Sequence, residues 1–243
     1  MDIPGSDIDS VRVRLQAVQQ RIAQAEQRYG RVPGAVTLLA VSKTWPVQII
    51  RAAHAEGQTL FGESYLQEAL PKIEALQDHG IEWHFIGPVQ SNKTKNIAQH
   101  FAWVHSIDRE HIAQRINAQR CISAQGHRAL PPLNICLQVK VGDEAQKAGV
   151  NVSDQAALQS LAHTVAGLPC LKLRGLMAIP APLHDFDAQR RAFGAVHKAF
   201  TRLNEDGLGL DTLSMGMSND MEAAIAEGAT IVRIGSAIFG VRA

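Results

Sequence analysis

Lys43 closes the apolar run Leu38-Leu39-Ala40-Val41-Ser42 and precedes Thr44-Trp45-Pro46. A lysine at the end of a buried strand can lose its charge by desolvation and attack an aldehyde as a free amine. The alternative is an ammonium that snorkels out to water. Lys140, near the end of Leu133–Val141, is its rival. Lys72, Lys93, Lys95, Lys147 and Lys198 fall on expected helices or loops, and Lys172 lies at the wrong end of its run. Two glycine-containing turns offer an anion site. Gly216-Met217-Ser218-Asn219-Asp220 leads into a helical pattern, and Gly235-Ser236 repeats the arrangement. Amides and a hydroxyl at such turns suit a phosphate, although each also reads as plain turn and cap chemistry. Arg233 sits in the apolar run Thr230–Ile234. A buried guanidinium needs a partner. That partner is a carboxylate inside the protein, a ring nitrogen or an anionic ligand. His84, between Trp83 and Phe85, reads as a satisfied core histidine near a strand end. His100, His105 and His111 lack metal-ligand spacing, and no HExxH, CxxC, Walker A, GxGxxG or GxSxG occurs.

These residues fall at the ends of short apolar runs that alternate with helical patterns. The runs are 37–43, 59–63, 83–87, 103–107, 133–141, 173–179, 212–217 and 230–234. The helical segments between and after them are 47–56, 65–77, 92–99, 109–120, 153–166, 187–204, 219–227 and 236–239. Runs apolar on both faces, alternating with helices, imply a buried parallel sheet. Eight such units predict a single (β/α)8 TIM-like barrel over residues 31–243, with an open doubly wound sheet as the competitor. In a barrel the ligand lies where the strands end, which gathers Lys43, Ser64, Met217, Ser218, Gly235 and Ser236 at one mouth. Residues 1–30 form an extra helix packed on the barrel, with Ile8, Val11, Leu15, Val18, Ile22 and Ala25 on one face. Ser6 and Asp7 are its expected caps and Gly30 its stop.

Composition narrows the function classes. The chain has 243 residues, with 24 Lys and Arg against 23 Asp and Glu. That balance argues against a broad nucleic-acid or membrane surface. No apolar run is long enough to span a bilayer. Met1–Ser10 carries Asp2, Asp7 and Asp9 and no apolar core, so it reads as neither a signal nor a transit peptide. Cys121, Cys136 and Cys170 are expected as buried or incidental thiols in a reducing cytoplasm rather than as a disulfide or zinc site.

Taken together, several motifs resemble the pyridoxal-phosphate homeostasis proteins (the YggS- or PROSC-like family). They are Leu39–Thr44, Phe61-Gly62-Glu63, Trp83–Lys93, Arg174–Pro180, Leu213–Ile225 and Val232–Gly240. The resemblance runs from about Val36 onward and implies a barrel similar to the N-terminal domain of alanine racemase. It implies pyridoxal 5′-phosphate (PLP) bound as a Schiff base to Lys43, with Arg233 facing the pyridine nitrogen. It further implies that the Ser218 loop and the Gly235-Ser236 turn hold the phosphate, and that His84 and the Met217 backbone line the pocket. Two positions depart from the family. Ser64 stands where an asparagine is usual, and Ser236 where threonine is frequent.

Racemases of this fold use a tyrosine associated with an added C-terminal domain. Here the two tyrosines, Tyr29 and Tyr65, both precede or lie within the barrel. The expectation is therefore a cytoplasmic, monomeric PLP carrier, with PLP-dependent enzymes as transient recipients and no nucleic-acid or membrane partner. A low-activity amino-acid racemase and a Schiff-base sugar-phosphate aldolase are the alternatives.

Overall fold

The apolar runs pair side by side in a computed structural model that describes residues 5–124, 130–142 and 148–240, with the side chains of 5–9 excepted. Asp2, Asp143 and Lys147, and the side chains of Ser6, Asp7, Ile8 and Asp9, lie outside the described residues. The chain begins with α1 (Gly5–Arg28), β1 (Thr37–Val41), α2 (Val47–Ala55), β2 (Leu60–Glu63) and α3 (Leu66–Ala75). Next come β3 (Glu82–Phe85), α4 (Thr94–His100), β4 (Trp103–Ile107), α5 (Glu110–Ala124) and β5 (Leu133–Lys140). After the two-residue β6 (Val150–Asn151) follow α6 (Gln155–Ala166), β7 (Leu171–Ala178) and α7 (Phe186–Glu205). The last elements are β8 (Thr212–Ser214), α8 (Met221–Ala226), β9 (Ile231–Ile234) and α9 (Ser236–Phe239).

All strand pairs are parallel, and they close on themselves. The ring runs β1-β2-β3-β4-β5-β7-β8-β9 and returns to β1 through Leu39↔Arg233 and its neighbours. This is a (β/α)8 barrel, which excludes the open doubly wound sheet. The ninth strand, β6, was not expected. It adds to the end of β5 through Val139↔Val150, beyond the last paired residue of β4.

Strand alternation divides the interior in two. One set of residues, with Leu38, Ala40, Val232 and Ile234 among them, packs with the helices in the large core. The other set faces the barrel axis, where Trp103, Cys136 and Met177 form a small separate cluster. Helix ends follow local chemistry, and side-chain oxygens cap two of them. Asp154 caps α6 by accepting from Ala157 N (3.1 Å). Asp185 caps α7 by accepting from Ala188 N (2.7 Å). Gly30, at φ 65°, stops α1 as expected. Arg31 N there donates to Glu26 O (2.8 Å), which satisfies a carbonyl of the last turn. Ser6 and Asp7, the expected caps, have helical backbones within α1.

The cysteine expectation is also corrected. Cys121 and Cys170 form a disulfide, with Cα atoms 5.4 Å apart, and Cys136 alone is free. The cause is topological. Leu133 at the start of β5 pairs with Leu171 at the start of β7, which brings the end of α5 beside the residue preceding β7. Among the described residues, no helix is long and apolar enough to cross a membrane.

Candidate functional site

The mouth of the barrel is built on two neighbouring strands, β1 and β9. Leu39 pairs with Arg233, and a Cβ at Gly235 would stand 3.2 Å from the Val41 carbonyl oxygen. Only glycine leaves that approach easy. Lys43 follows two residues after Val41 and is exposed; Ser236 follows Gly235 and is exposed too. An amine, a guanidinium and a hydroxyl thus rise from adjacent strands.

The backbone around Lys43 is clamped from α3. Lys72 donates to the Ser42 carbonyl (3.0 Å) and to Glu63 Oε1 (2.8 Å). Ser42 Oγ donates to the same carboxylate oxygen (2.7 Å). Glu68, one turn from Lys72, accepts from the Thr44 amide (2.9 Å) and holds Thr44 at φ 71°. Burial pushes the Glu63 carboxyl above its ordinary value, and the Lys72 ammonium pulls it back. Its second oxygen, Oε2, is buried without a protein partner.

The loop after β8 meets the turn after β9. Ser218 Oγ lies 3.2 Å from Ser236 Oγ, so the two hydroxyls converge. Gly216, at φ 96°, makes the turn possible; a Cβ there would lie 2.6 Å from Ala224 Cβ. The Met217 amide donates to Asp220 Oδ1 (2.6 Å), and the residue is partly exposed. Arg21 of α1 binds the Ser218 carbonyl (3.3 Å) and Glu222 (2.7 Å), tying the extra helix to this loop. Ser64 follows β2 at the same mouth and is half-buried.

Arg233 is buried and has no carboxylate in direct contact among the described residues. Nη1 donates to the Ser214 carbonyl (2.5 Å) and Ser214 Oγ (2.9 Å), and Nη2 donates to the Ala178 carbonyl (2.9 Å). Burial lowers its pKa to about 10, offset by Asp220, so it stays cationic at neutral pH. Three of its five N–H groups are used by these acceptors, which leaves donors for a ligand.

His84 is placed differently from the other expected site residues. Both ring nitrogens are engaged, by Glu82 Oε1 (3.0 Å) and His105 Nε2 (2.9 Å), and the ring stacks on Trp103. It reaches Arg233 only through His105 and Ser214. Glu63, Lys72, His105 and Ser214 are the residues that sequence reasoning did not assign to the site. The signal for Lys72 was its place three residues after Ala69, on the buried face of α3 with Leu66. Among the described residues, no cluster of His, Cys, Asp and Glu could hold a metal ion.

The family model for the alanine racemase N-terminal domain matches residues 13–243. A pyridoxal phosphate homeostasis protein of Pseudomonas aeruginosa is 54% identical over 235 residues, covering 97% of both chains. The chain belongs to the pyridoxal phosphate homeostasis protein family. Its Escherichia coli K12 relative is 48% identical, covering 97% of this chain and 98% of the other. Among solved structures, PipY of Synechococcus elongatus with PLP bound is 34% identical (TM-score 0.75; 90% of this chain, 100% of that one). Alanine racemase from Corynebacterium glutamicum, at 15% identity and a TM-score of 0.68, shares the fold over 97% of this chain and 62% of its own.

Proposed function

We propose that this family member binds PLP at the barrel mouth and serves intracellular PLP homeostasis and delivery, without robust catalysis. The observation that carries the reading is the placement of Arg233 on β9, and of Lys43 and Ser236 just beyond the ends of the adjacent strands β1 and β9, with Ser218 beside Ser236. That donor set suits the three functional ends of the molecule. Lys43 holds the aldehyde as a Schiff base, losing one water as the C=N bond forms. Ser218, Gly235 and Ser236 receive the phosphate, and the spare N–H groups of Arg233 face the ring nitrogen. Ser64 and Met217 flank the ligand, while His84 acts through the groups behind Arg233. When bound, the group supplies a reactive aldehyde and an electron-withdrawing ring. The clamp fixes the backbone on either side of Lys43, and the hydroxyl pair would offer donors to the phosphate. The working form is a monomer whose transient recipients are PLP-dependent enzymes. The PLP-bound PipY structure and the names of the bacterial relatives support this reading.

The test is to incubate the purified chain with PLP, reduce with borohydride and map the modified peptide. A visible band in the wild type, trapped on Lys43 and lost in Lys43→Ala, is the expected result. Modification on Lys140, or none, overturns the assignment. Exchange of an amino acid's Cα hydrogen in deuterated water, dependent on Lys43, would overturn the carrier reading in favour of a racemase.

A further inference from the structure

A continuous line of hydrogen bonds crosses the barrel interior. Arg233 Nη1 meets Ser214 Oγ (2.9 Å), Ser214 Oγ meets His105 Nδ1 (2.8 Å), and His105 Nε2 meets His84 Nδ1 (2.9 Å). His84 Nε2 then meets Glu82 Oε1 (3.0 Å). β4 and β8 are not neighbours in the ring, so the His105–Ser214 contact passes through the barrel axis. Glu82 is the first residue of β3, so in a parallel barrel it lies at the end opposite Lys43.

The two ends of this line together select one arrangement of protons. Arg233 can only donate, so Ser214 Oγ accepts from it. A serine oxygen can accept twice, so this end alone permits the serine hydrogen to go to His105 Nδ1 or Ser214 Oγ to accept from it. The Glu82 carboxylate, which can only accept from His84, selects the first. His105 Nδ1 is therefore an acceptor, and its hydrogen sits on Nε2 and points to His84 Nδ1. His84 in turn carries its hydrogen on Nε2 and donates to Glu82. The reverse order would set the His84 Nε2 lone pair against an ionised carboxylate. Burial keeps both imidazoles neutral, and the His84 hydrogen bond holds Glu82 ionised. The other groups facing Glu82 are the Trp103 side chain from β4 and Arg174 from β7; Arg174 is held by Asp211 (2.8 Å). Every donor in the line thus points from the guanidinium towards Glu82.

We infer that Glu82 is a remote positioning residue for Arg233, setting the direction of this line and so the acceptor that Ser214 presents to the guanidinium. Without Glu82 the line can reverse: His84 donates from Nδ1 to His105, and His105 from Nδ1 to Ser214. The serine hydrogen would then have to leave the His105 side, and the support of Arg233 would change at the opposite end of the barrel. The functional consequence rests on the cofactor reading above; the proton arrangement does not.

The experiment records imidazole 15N–1H correlations of the full chain without cofactor at pH 7, in wild type, Glu82→Ala and Glu82→Gln. The wild type should show both His84 and His105 as neutral Nε2–H tautomers. Glu82→Ala should convert one or both to Nδ1–H, whereas Glu82→Gln, whose amide oxygen still accepts, should keep the wild-type pattern. A second readout is the decay of the visible band after dilution of PLP-loaded protein. Glu82→Ala should release PLP about threefold to tenfold faster, the size of one net hydrogen bond, with Glu82→Gln close to wild type. An Nδ1–H or cationic histidine in the wild type, unchanged tautomers in Glu82→Ala, or unchanged release despite converted tautomers would each overturn the inference. If the wild type takes up no PLP, the cofactor reading falls and the tautomers alone decide the proton line.

Discussion

Replacing Lys72 by methionine isolates what the clamp behind Lys43 contributes. The Lys72 and Glu63 side chains are 9% and 0% exposed and meet at 2.8 Å. Removing one member of a buried pair strands the other charge, which typically costs about 3–5 kcal/mol. Glu63 has an escape, because it can take up a proton. Neutralising a carboxylate of ordinary pKa 4.5 costs about 1.4 kcal/mol per pH unit above that value. The electrostatic part of the penalty is thus capped at about 3 kcal/mol at pH 7 and about 1 kcal/mol at pH 5. The sign follows from linkage. Burial raises the folded-state pKa of Glu63 above the unfolded one, so the folded variant binds the extra proton, and its stability falls as pH rises. Urea unfolding of Lys72→Met against wild type at pH 5, 6, 7 and 8 reads this directly. The deficit should grow with pH, and Glu63→Gln in the same chain should flatten it. A pH-independent deficit, or one below about 1 kcal/mol at pH 7, would refute the argument. Trapping of PLP on Lys43 should fall in the variant, because the Ser42 carbonyl loses its lysine donor.

Other perturbations read other parts of the molecule. His84 and His105 are held by burial below their ordinary 6.5, so the unfolded state binds more protons. Their contribution is present above pH 6.5 and is lost as pH falls towards the folded values. Urea midpoints should drop between pH 7 and pH 5, with a shallower drop in His105→Gln; an equal drop would remove His105 from the account. The disulfide joins positions with a sequence separation of 49. Its reduction, or Cys121→Ser, should lower stability by up to about 4 kcal/mol, read as a fall in Tm. Gly216→Ala combines a left-handed backbone with a 2.6 Å contact to Ala224 Cβ. That change should cost about 2 kcal/mol or more. It should also weaken PLP binding through the Ser218 loop; unchanged affinity would remove that loop from the phosphate site.

The strands were legible because parallel strands buried on both faces leave continuous apolar runs, as Leu38–Val41 does. The mouth residues were legible because barrel geometry assigns strand ends to one side. Lys72 lies on a helix as expected, but its part in the clamp was not read, although its three-residue spacing from Ala69 put it on the buried face. The interior line was illegible for a different reason. His105 on β4 and Ser214 on β8 belong to strands that meet only across the axis of a closed ring, and no local pattern marks such a contact. The disulfide joins a helix end to a strand start through strand pairing, so its spacing carries no motif.

That bridge also changes what a single break in the chain can do. Any one peptide bond cut between Cys121 and Cys170 leaves two pieces that remain covalently joined, with β5, β6 and α6 inside the bridged segment. A protein nicked there would migrate as one species on a non-reducing gel and as two after reduction. Its two parts would stay at the high mutual concentration of a tethered pair. Barrel closure could then survive a break that would let an unbridged chain come apart.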